Sequence, residues 1–264
     1  MSAKFSSRRN WVLAIFAVLL LMAPAKAENK LGVVLLHGKM AGPSVFQGLA
    51  GTLEQDGILV ACPEMPWSRS RYLDAPFKAA LEEIAAAVQS LKQKGASRIV
   101  IGGHSLGAVA ALAYAAIRDE VAGLILLAPG HYPDSPAFQH NLGNSLATAQ
   151  EMVKAGRGGE SREFLDTNMG RVFNISTKAQ IYVSFFSPES PISPGQDAAR
   201  LSPKIPVLCI LGDKDPLSPK TRKHVLLRLP ANPLSRVATV PGGHMDVPSE
   251  AKSEVVRWLK SLPH

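Results

Sequence analysis

The pentapeptide Gly103-His104-Ser105-Leu106-Gly107 is the feature that most constrains the fold of this chain. The apolar, β-branched run Ile99-Val100-Ile101 precedes it and is typical of a buried strand. A run rich in alanine and leucine begins at Ala108 and is typical of a helix. The segment therefore predicts a tight strand-to-helix turn, with Ser105 at its apex and projecting from the carboxyl end of a sheet.

A serine held between glycines at such a turn has the arrangement of a nucleophile elbow. On these residues the chain resembles the α/β-hydrolase family, whose members place an acidic residue and then a histidine after the serine. The resemblance covers nearly all of residues 31–263. Alternating strand and helix patterns agree with it and predict an α/β fold, with a doubly wound, mostly parallel sheet of about six strands and helices on both faces.

Serine is a weak nucleophile at neutral pH and needs a base, which in turn needs a carboxylate to orient it. His244 follows two glycines after the last predicted strand, so we expect it to be the base. The family pattern Gly-x-x-Asp-Pro matches the loop that carries Asp215, the expected acid. Asp213 is expected to tie the turn, and Asp134 is the fallback acid.

The other histidines are not expected to act as the base. His104 adjoins Ser105 and its side chain should point elsewhere, and His37 is expected to be structural. The remaining four are interpreted as surface groups: His131, His140, His224 and His264.

The resemblance also implies an oxyanion hole. Its first donor would be the backbone amide of Leu106, at the start of the helix after the elbow. The second would come from the loop after the first strand, which begins at His37-Gly38, and would be the amide of Lys39 or Met40.

Two segments are candidates for shaping the substrate site. Met65 and Trp67 follow the second strand, at the sheet edge where ligands bind in open parallel sheets. They are candidate pocket residues, although a loop that only packs Trp67 against the body is an equal alternative. Residues 131–203 are too long for a plain loop, and the resemblance implies a small helical cap there.

The first 27 residues are expected to be a signal peptide. They combine a basic start, a short apolar stretch and an Ala25-Lys26-Ala27 cleavage site. We therefore expect export to the periplasm or the medium, by the general route or, given Arg8-Arg9, the twin-arginine route. Residues 28–264 would form the mature hydrolase domain, with no stable membrane insertion.

Charge and motif content give no support to several other classes of protein. Residues 1–27 hold four basic and no acidic residues, which leaves +4 of the formal net charge of +8 on the rest of the chain. That excess and the lack of a basic stripe give no support to nucleic-acid binding. The sequence also lacks a Gly-x-Gly-x-x-Gly motif and metal-ligand spacing, so we expect no cofactor and no metal. Cys62 and Cys209 are expected to stay unpaired.

The sequence thus predicts an exported serine hydrolase that cleaves an ester or related acyl bond in a small-molecule substrate through Ser105, His244 and Asp215. An acyltransferase or a peptidase using the same triad is one alternative. A non-catalytic envelope-accessory protein that keeps the fold is another. The natural substrate and the oligomeric state are left open.

Overall fold

The computed structural model describes residues 30–118 and 120–263, and the expected signal peptide lies outside them. Within these residues the chain forms eight strands. They are β1 (Lys30–Leu36), β2 (Leu59–Ala61), β3 (Ala96–His104), β4 (Gly123–Leu127), β5 (Ser161–Asn168), β6 (Arg171–Lys178), β7 (Val207–Gly212) and β8 (Arg236–Val240).

Ten α-helices occur in the same described part of the chain. They are α1 (Gln47–Gln55), α2 (Phe77–Gln93), α3 (Leu106–Ile117), α4 (Pro136–Asn141), α5 (Ser145–Lys154), α6 (Ala179–Phe186), α7 (Pro194–Arg200), α8 (Ser218–His224), α9 (Val247–Glu250) and α10 (Lys252–Ser261). Short 3₁₀ turns precede α1 at Pro43–Phe46 and follow α8 at Leu226–Arg228. No helix among them has the length and hydropathy that crossing a bilayer requires.

Six of the strands form one parallel sheet in the order β2-β1-β3-β4-β7-β8. The chain moves outward from β1 to β2 and then returns to add β3 on the other side of β1. This reversal makes a topological switch point between β1 and β3, and in open parallel sheets the ligand crevice lies outside the carboxyl ends of such strands. The loop after β1 and the elbow after β3 meet there.

Both faces of the sheet are buried, as the apolar strand patterns predict. Along β1, Val34 and Leu36 face a core shared with α2 and α3. Val33 and Leu35 face a second core that includes residues of α1 and α10. Successive strand residues point to opposite faces, so the continuous apolar run of β1 fills two cores at once. The predicted doubly wound fold is confirmed.

The segment between β4 and β7, residues 131–203, is called the insert here. The resemblance implies helices here, and four lie in the insert, α4 to α7. An antiparallel hairpin of β5 and β6 accompanies them, which the sequence does not predict. Met169 and Gly170 join the two strands with φ values of 49° and 77°, as a two-residue hairpin turn requires. The turn lacks the Asn-Gly or Asp-Gly signature by which such hairpins are recognised in a sequence.

Cys62 and Cys209 are both free thiols. Cys62 follows the edge strand β2, and Cys209 lies in β7. Three strands, β1, β3 and β4, lie between them in the sheet. Burial raises the pKa of Cys62 to about 11 and that of Cys209 to about 12. Both thiols therefore stay protonated at neutral pH, and the prediction that they do not pair is confirmed.

Candidate active site

Ser105 lies between β3 and α3 in a strained backbone conformation, with φ 55° and ψ −119°. The two motif glycines make this turn possible. A Cβ on Gly103 would lie 2.4 Å from the carbonyl carbon of Gly107, and a Cβ on Gly107 would lie 2.0 Å from the carbonyl oxygen of Leu36. Backbone atoms cannot move away from such overlaps, so both positions require glycine for steric reasons.

His244 and Asp215 form a buried pair. The Nδ1 atom of His244 lies 2.9 Å from Oδ2 of Asp215, and both side chains are almost fully buried. The other carboxylate oxygen of Asp215 accepts a hydrogen bond from the Leu217 amide at 2.8 Å. The carboxylate is thus fixed in direction, and it holds the histidine with Nδ1 as the donor and Nε2 free to accept a proton.

The two other candidate acids do not reach His244. Asp213 accepts a hydrogen bond from the Gly242 amide at 2.8 Å, which ties the loops after β7 and β8 together. Asp134 is exposed at the start of the insert. Asp215 is therefore the carboxylate that the structure brings to the histidine, and Asp213 ties the turn as expected.

Gly130 shows how close the serine and the histidine are. A Cβ built on Gly130 would lie 2.8 Å from the Ser105 hydroxyl oxygen and 3.3 Å from Cε1 of His244. The hydroxyl and the imidazole edge therefore border one small space that the absent side chain leaves open. The loops after β3, β4 and β8 supply these three residues, so three separate strands assemble the arrangement.

His104 supports this arrangement without taking part in it as a base. Its Nε2 lies 2.9 Å from the carbonyl oxygen of His244, and the two rings are 4.9 Å apart. Burial, with help from nearby His244, lowers the pKa of His104 to about 4. The ring is therefore neutral at pH 7, and its Nε2–H donates to the carbonyl and holds the His244 loop.

The loop after β1 carries the two candidates for the second oxyanion donor, the backbone amides of Lys39 and Met40. The Met40 amide donates to the carbonyl of Trp67 at 2.9 Å, so it is already engaged. The amides of Lys39 and Leu106 have no acceptor within the described part of the chain. Of the two alternatives for the second donor, Lys39 is thus the one whose amide is left available, and Lys39 and Leu106 both line the cavity beside Ser105.

Met65 and Trp67 are not pocket residues, and the packing alternative is the correct one. Both are fully buried and neither borders the cavity beside Ser105. The Met65 amide donates to Nε2 of His37 at 3.0 Å, and the Trp67 indole donates to the His37 carbonyl at 2.7 Å. These hydrogen bonds stabilise the loop that carries Lys39, so Met65 and Trp67 support the site without lining the cavity. His37 is structural, as expected.

His131 is a site residue that the sequence interpretation placed wrongly on the surface. It is buried beside the cavity, and its Nε2 donates to the Phe185 carbonyl at 2.7 Å. Burial, with a smaller contribution from the charge of Lys39, lowers its pKa to about 3. The signal was present, because Gly130 precedes His131 at a strand end just as Gly243 precedes His244.

The remaining histidines agree better with that interpretation. His140 is exposed and His224 is half-buried against the ring of Tyr132. His264 lies outside the described residues.

A cavity of about 330 Å³ opens beside Ser105 and Leu106. One wall comes from the loops after β1 and β7 and from α8, and the other comes from the insert. The residues of the insert that line it include Tyr132, Phe138, Asn141, Thr167, Asn168 and Met169. Such a volume is at the lower end of the range for small-molecule sites. In the described part of the chain no cluster of side chains could hold a metal ion.

Comparison with known proteins agrees with this geometry. A sequence profile of the alpha/beta hydrolase family matches residues 33–258. A comparison with curated protein sequences found no match. Among solved structures, the fold is similar to a highly thermostable carboxyl esterase from Bacillus coagulans, with a TM-score of 0.64 and 15% identity over 89% of this chain and 91% of that chain.

Two further structures show the same fold. A monoacylglycerol lipase from Paleococcus ferrophilus has a TM-score of 0.61 and 17% identity over 88% of this chain and 95% of that chain. A thermophilic esterase from Thermogutta terrifontis has a TM-score of 0.56 and 20% identity over 89% of this chain and 91% of that chain. Because the profile also spans most of the sequence, this chain belongs to the alpha/beta hydrolase family.

Proposed function

We propose that this protein is a serine hydrolase that cleaves an ester or related acyl bond of a small molecule. The observation that carries the proposal is the buried 2.9 Å contact between His244 and Asp215 beside the strained Ser105. These are the groups that nucleophilic acyl transfer needs, and they follow one another in the chain order of the α/β-hydrolase fold. The names of the similar solved structures, which include esterases and a lipase, also support ester cleavage.

In the proposed reaction the Ser105 oxygen attacks the substrate carbonyl while Nε2 of His244 takes the hydroxyl proton. Asp215 stabilises the resulting imidazolium. The amides of Leu106 and Lys39 donate to the oxygen that becomes negative, and this stabilises the tetrahedral intermediate. His244 then gives its proton to the leaving group, and water releases the acyl group by the reverse sequence of steps.

The small cavity supports a compact acyl group as the preferred substrate. Aromatic and aliphatic side chains of the insert suit an apolar acyl chain, and Asn141 and Thr167 provide polar contacts. We therefore expect p-nitrophenyl acetate and butyrate to be cleaved faster than the octanoate. Aminoacyl p-nitroanilides test the peptidase alternative, and added alcohols test acyl transfer.

The test of a serine mechanism is covalent labelling with a fluorophosphonate probe. The purified protein should be labelled, and Ser105→Ala should lose both the label and ester cleavage. Ser161→Ala is a matched control, because Ser161 is exposed at the start of β5. An unlabelled wild-type protein, or a labelled Ser105→Ala variant, would contradict the proposal and favour a non-catalytic role for the fold.

We also propose that the protein is exported and cleaved after Ala27. The support is the sequence of residues 1–27 alone. Amino-terminal sequencing of protein recovered outside the cytoplasm should begin at Glu28. A mature protein that still begins at Met1 would contradict export with cleavage.

A further inference from the structure

The side chain of Lys39 is held by the insert. Its ammonium lies 2.5 Å from Oδ1 of Asp166 and 2.8 Å from the carbonyl oxygen of Thr167, both at the end of β5. The side chains of Lys39 and Asp166 are only 6% and 1% exposed. The ring of Phe186 lies on another side of the ammonium, 5.4 Å from it. Lys39 therefore has its charge neutralised inside the protein.

Burying an ion pair has a desolvation cost, so such a pair is weak evidence for a purely stabilising role. This one joins residues that are 127 positions apart in the chain. It connects the loop after β1, which belongs to the sheet, to the hairpin of the insert. The fold of the sheet itself does not need the contact, because among the described strands β5 and β6 pair only with each other.

Lys39 lies in the chain between two residues whose positions are fixed beside Ser105, so its ion pair with Asp166 affects the geometry of the candidate active site. Its neighbour Gly38 is packed so closely on the elbow that a Cβ there would lie 3.2 Å from Cβ of Ser105. On the other side, the Met40 amide is fixed by the carbonyl of Trp67. The ion pair thus restrains the residue between these two points, and this residue carries the unengaged amide.

We propose that Asp166 is a positioning residue for the oxyanion hole. By holding the ammonium of Lys39, it keeps the Lys39 amide directed at the place where negative charge develops. It acts through Lys39 and does not itself touch the substrate. The inference rests on the proposed hydrolase function, and it makes a correctly packed insert a condition for fast turnover.

The expected effect of Asp166→Asn falls mainly on kcat. Removing one oxyanion donor costs about 10²- to 10³-fold in kcat, and a displaced donor should cost less than a removed one. We therefore expect a fall of about 10- to 100-fold in kcat, with KM changed about threefold or less. The rate of fluorophosphonate labelling should fall in parallel, because the probe's oxygen occupies the same hole.

Stability and positioning can be separated with a double variant. Asp166→Asn alone leaves the ammonium of Lys39 buried without a charge partner, so its Tm should also fall. The double variant Lys39→Met with Asp166→Asn removes both charges, and its Tm should recover. If Asp166 positions the loop, kcat stays low in the double variant. If the pair only stabilises the fold, kcat recovers with Tm, and the proposal is overturned.

Asp197→Asn provides the matched control. Asp197 lies in α7 of the same insert, is almost fully buried and is paired with Arg200 at 2.6 Å. This variant should lower Tm while kcat of the folded protein stays within about twofold of wild type. A loss of kcat equal to that of Asp166→Asn would show that any destabilised insert slows turnover, which would overturn the specific role of Asp166.

The outcomes distinguish this inference from the proposed function. Wild-type protein that neither cleaves esters nor reacts with the probe contradicts the proposed function. Wild-type protein that does both, while Asp166→Asn keeps the same kcat and labelling rate, contradicts only the positioning role.

Discussion

The candidate active site is built from two regions of the molecule, the sheet with its flanking helices and the insert. The sheet region supplies Ser105, Asp215 and His244 from loops that follow β3, β7 and β8. The insert supplies the facing wall of the cavity, and it holds Lys39 through Asp166. On the proposed function, the sheet region therefore sets the reaction, and the insert sets the substrate and the alignment of one oxyanion donor.

The two regions are also built differently. In the sheet region, successive strand residues fill two cores, and the positions of the loops follow from the strand order. In the insert, side-chain hydrogen bonds hold short helices and one hairpin in place. The Tyr182 hydroxyl donates to the Leu165 carbonyl within the insert. The Thr177 hydroxyl donates to the Leu73 carbonyl outside it, at 2.7 Å. Changes in the two regions should thus have effects of different kinds.

The largest difference in kcat is expected between variants of two acidic residues, one in each region. Asp215→Asn should lower kcat by about 10⁴-fold with little change in Tm, because an amide favours the wrong histidine tautomer and leaves the imidazolium unstabilised. Asp134→Asn, in the insert, should change kcat by less than about twofold, since this side chain is exposed. Ester cleavage and thermal unfolding of both variants measure this difference.

Asp213→Asn is the control for Asp215, because it keeps the same loop and removes a different hydrogen bond. Its loss of kcat should be much smaller than that of Asp215→Asn. A larger loss in Asp213→Asn at unchanged Tm would mean that the acid is assigned two residues too late.

Glycines of the two regions should differ strongly in their tolerance of a methyl group. Gly107→Ala would place Cβ 2.0 Å from the carbonyl oxygen of Leu36, and we expect it to destabilise the fold by roughly 3 kcal/mol or more. In Gly170→Ala the new Cβ would meet open space in the hairpin turn. The variant should therefore be destabilised only by the positive φ of this position, by about 1 kcal/mol. Urea unfolding measures both values. Equal losses would show that the elbow has more room than its backbone contacts indicate.

A histidine of the insert should contribute to acid sensitivity. The unfolded chain protonates His131 near its usual pKa of 6.5, whereas the folded chain does so only near pH 3. Between these values the unfolded state binds more protons, so the free energy of unfolding falls as pH falls. His131→Gln should therefore lose less stability than wild type between pH 7.5 and pH 5, by at most about 2 kcal/mol.

Urea unfolding of wild type and His131→Gln at both pH values tests this expectation. His104 in the sheet region, with a pKa of about 4, should act in the same direction, so His104→Gln is the matched comparison. Identical pH dependence in wild type and His131→Gln would show that His131 is already accessible to protons in the folded state.

The smallest expected effect is on selectivity for the acyl chain. Phe138→Ala enlarges the insert side of the cavity, so the ratio of kcat/KM for octanoate over acetate should rise by roughly three- to tenfold. Val172→Ala is the control, because this exposed hairpin residue does not line the cavity. An unchanged ratio for Phe138→Ala would place the acyl chain against the sheet region instead.

Much of the sheet region could be predicted from the sequence because its signals are local. The β-branched run before the elbow, the glycines around Ser105 and the alanine-rich run after it each constrain a few neighbouring residues. Strand and helix periods then give the order of elements, and the fold requires the acid and the histidine to follow the serine. The pattern Gly-x-x-Asp-Pro favours Asp215 over Asp213 as the acid, because the proline restricts the backbone of the residue directly before it.

The sequence by itself determined the fold class, the elbow and the residues that surround it. Only the tertiary structure decided that the Met40 amide is engaged by Trp67, that Met65 and Trp67 brace a loop instead of lining the cavity, and that His131 is buried. It alone brought Lys39 to Asp166, 127 residues away. The physical reason is that periodicity and turn sterics act between neighbours, whereas burial and hydrogen-bond partners depend on which distant elements pack together.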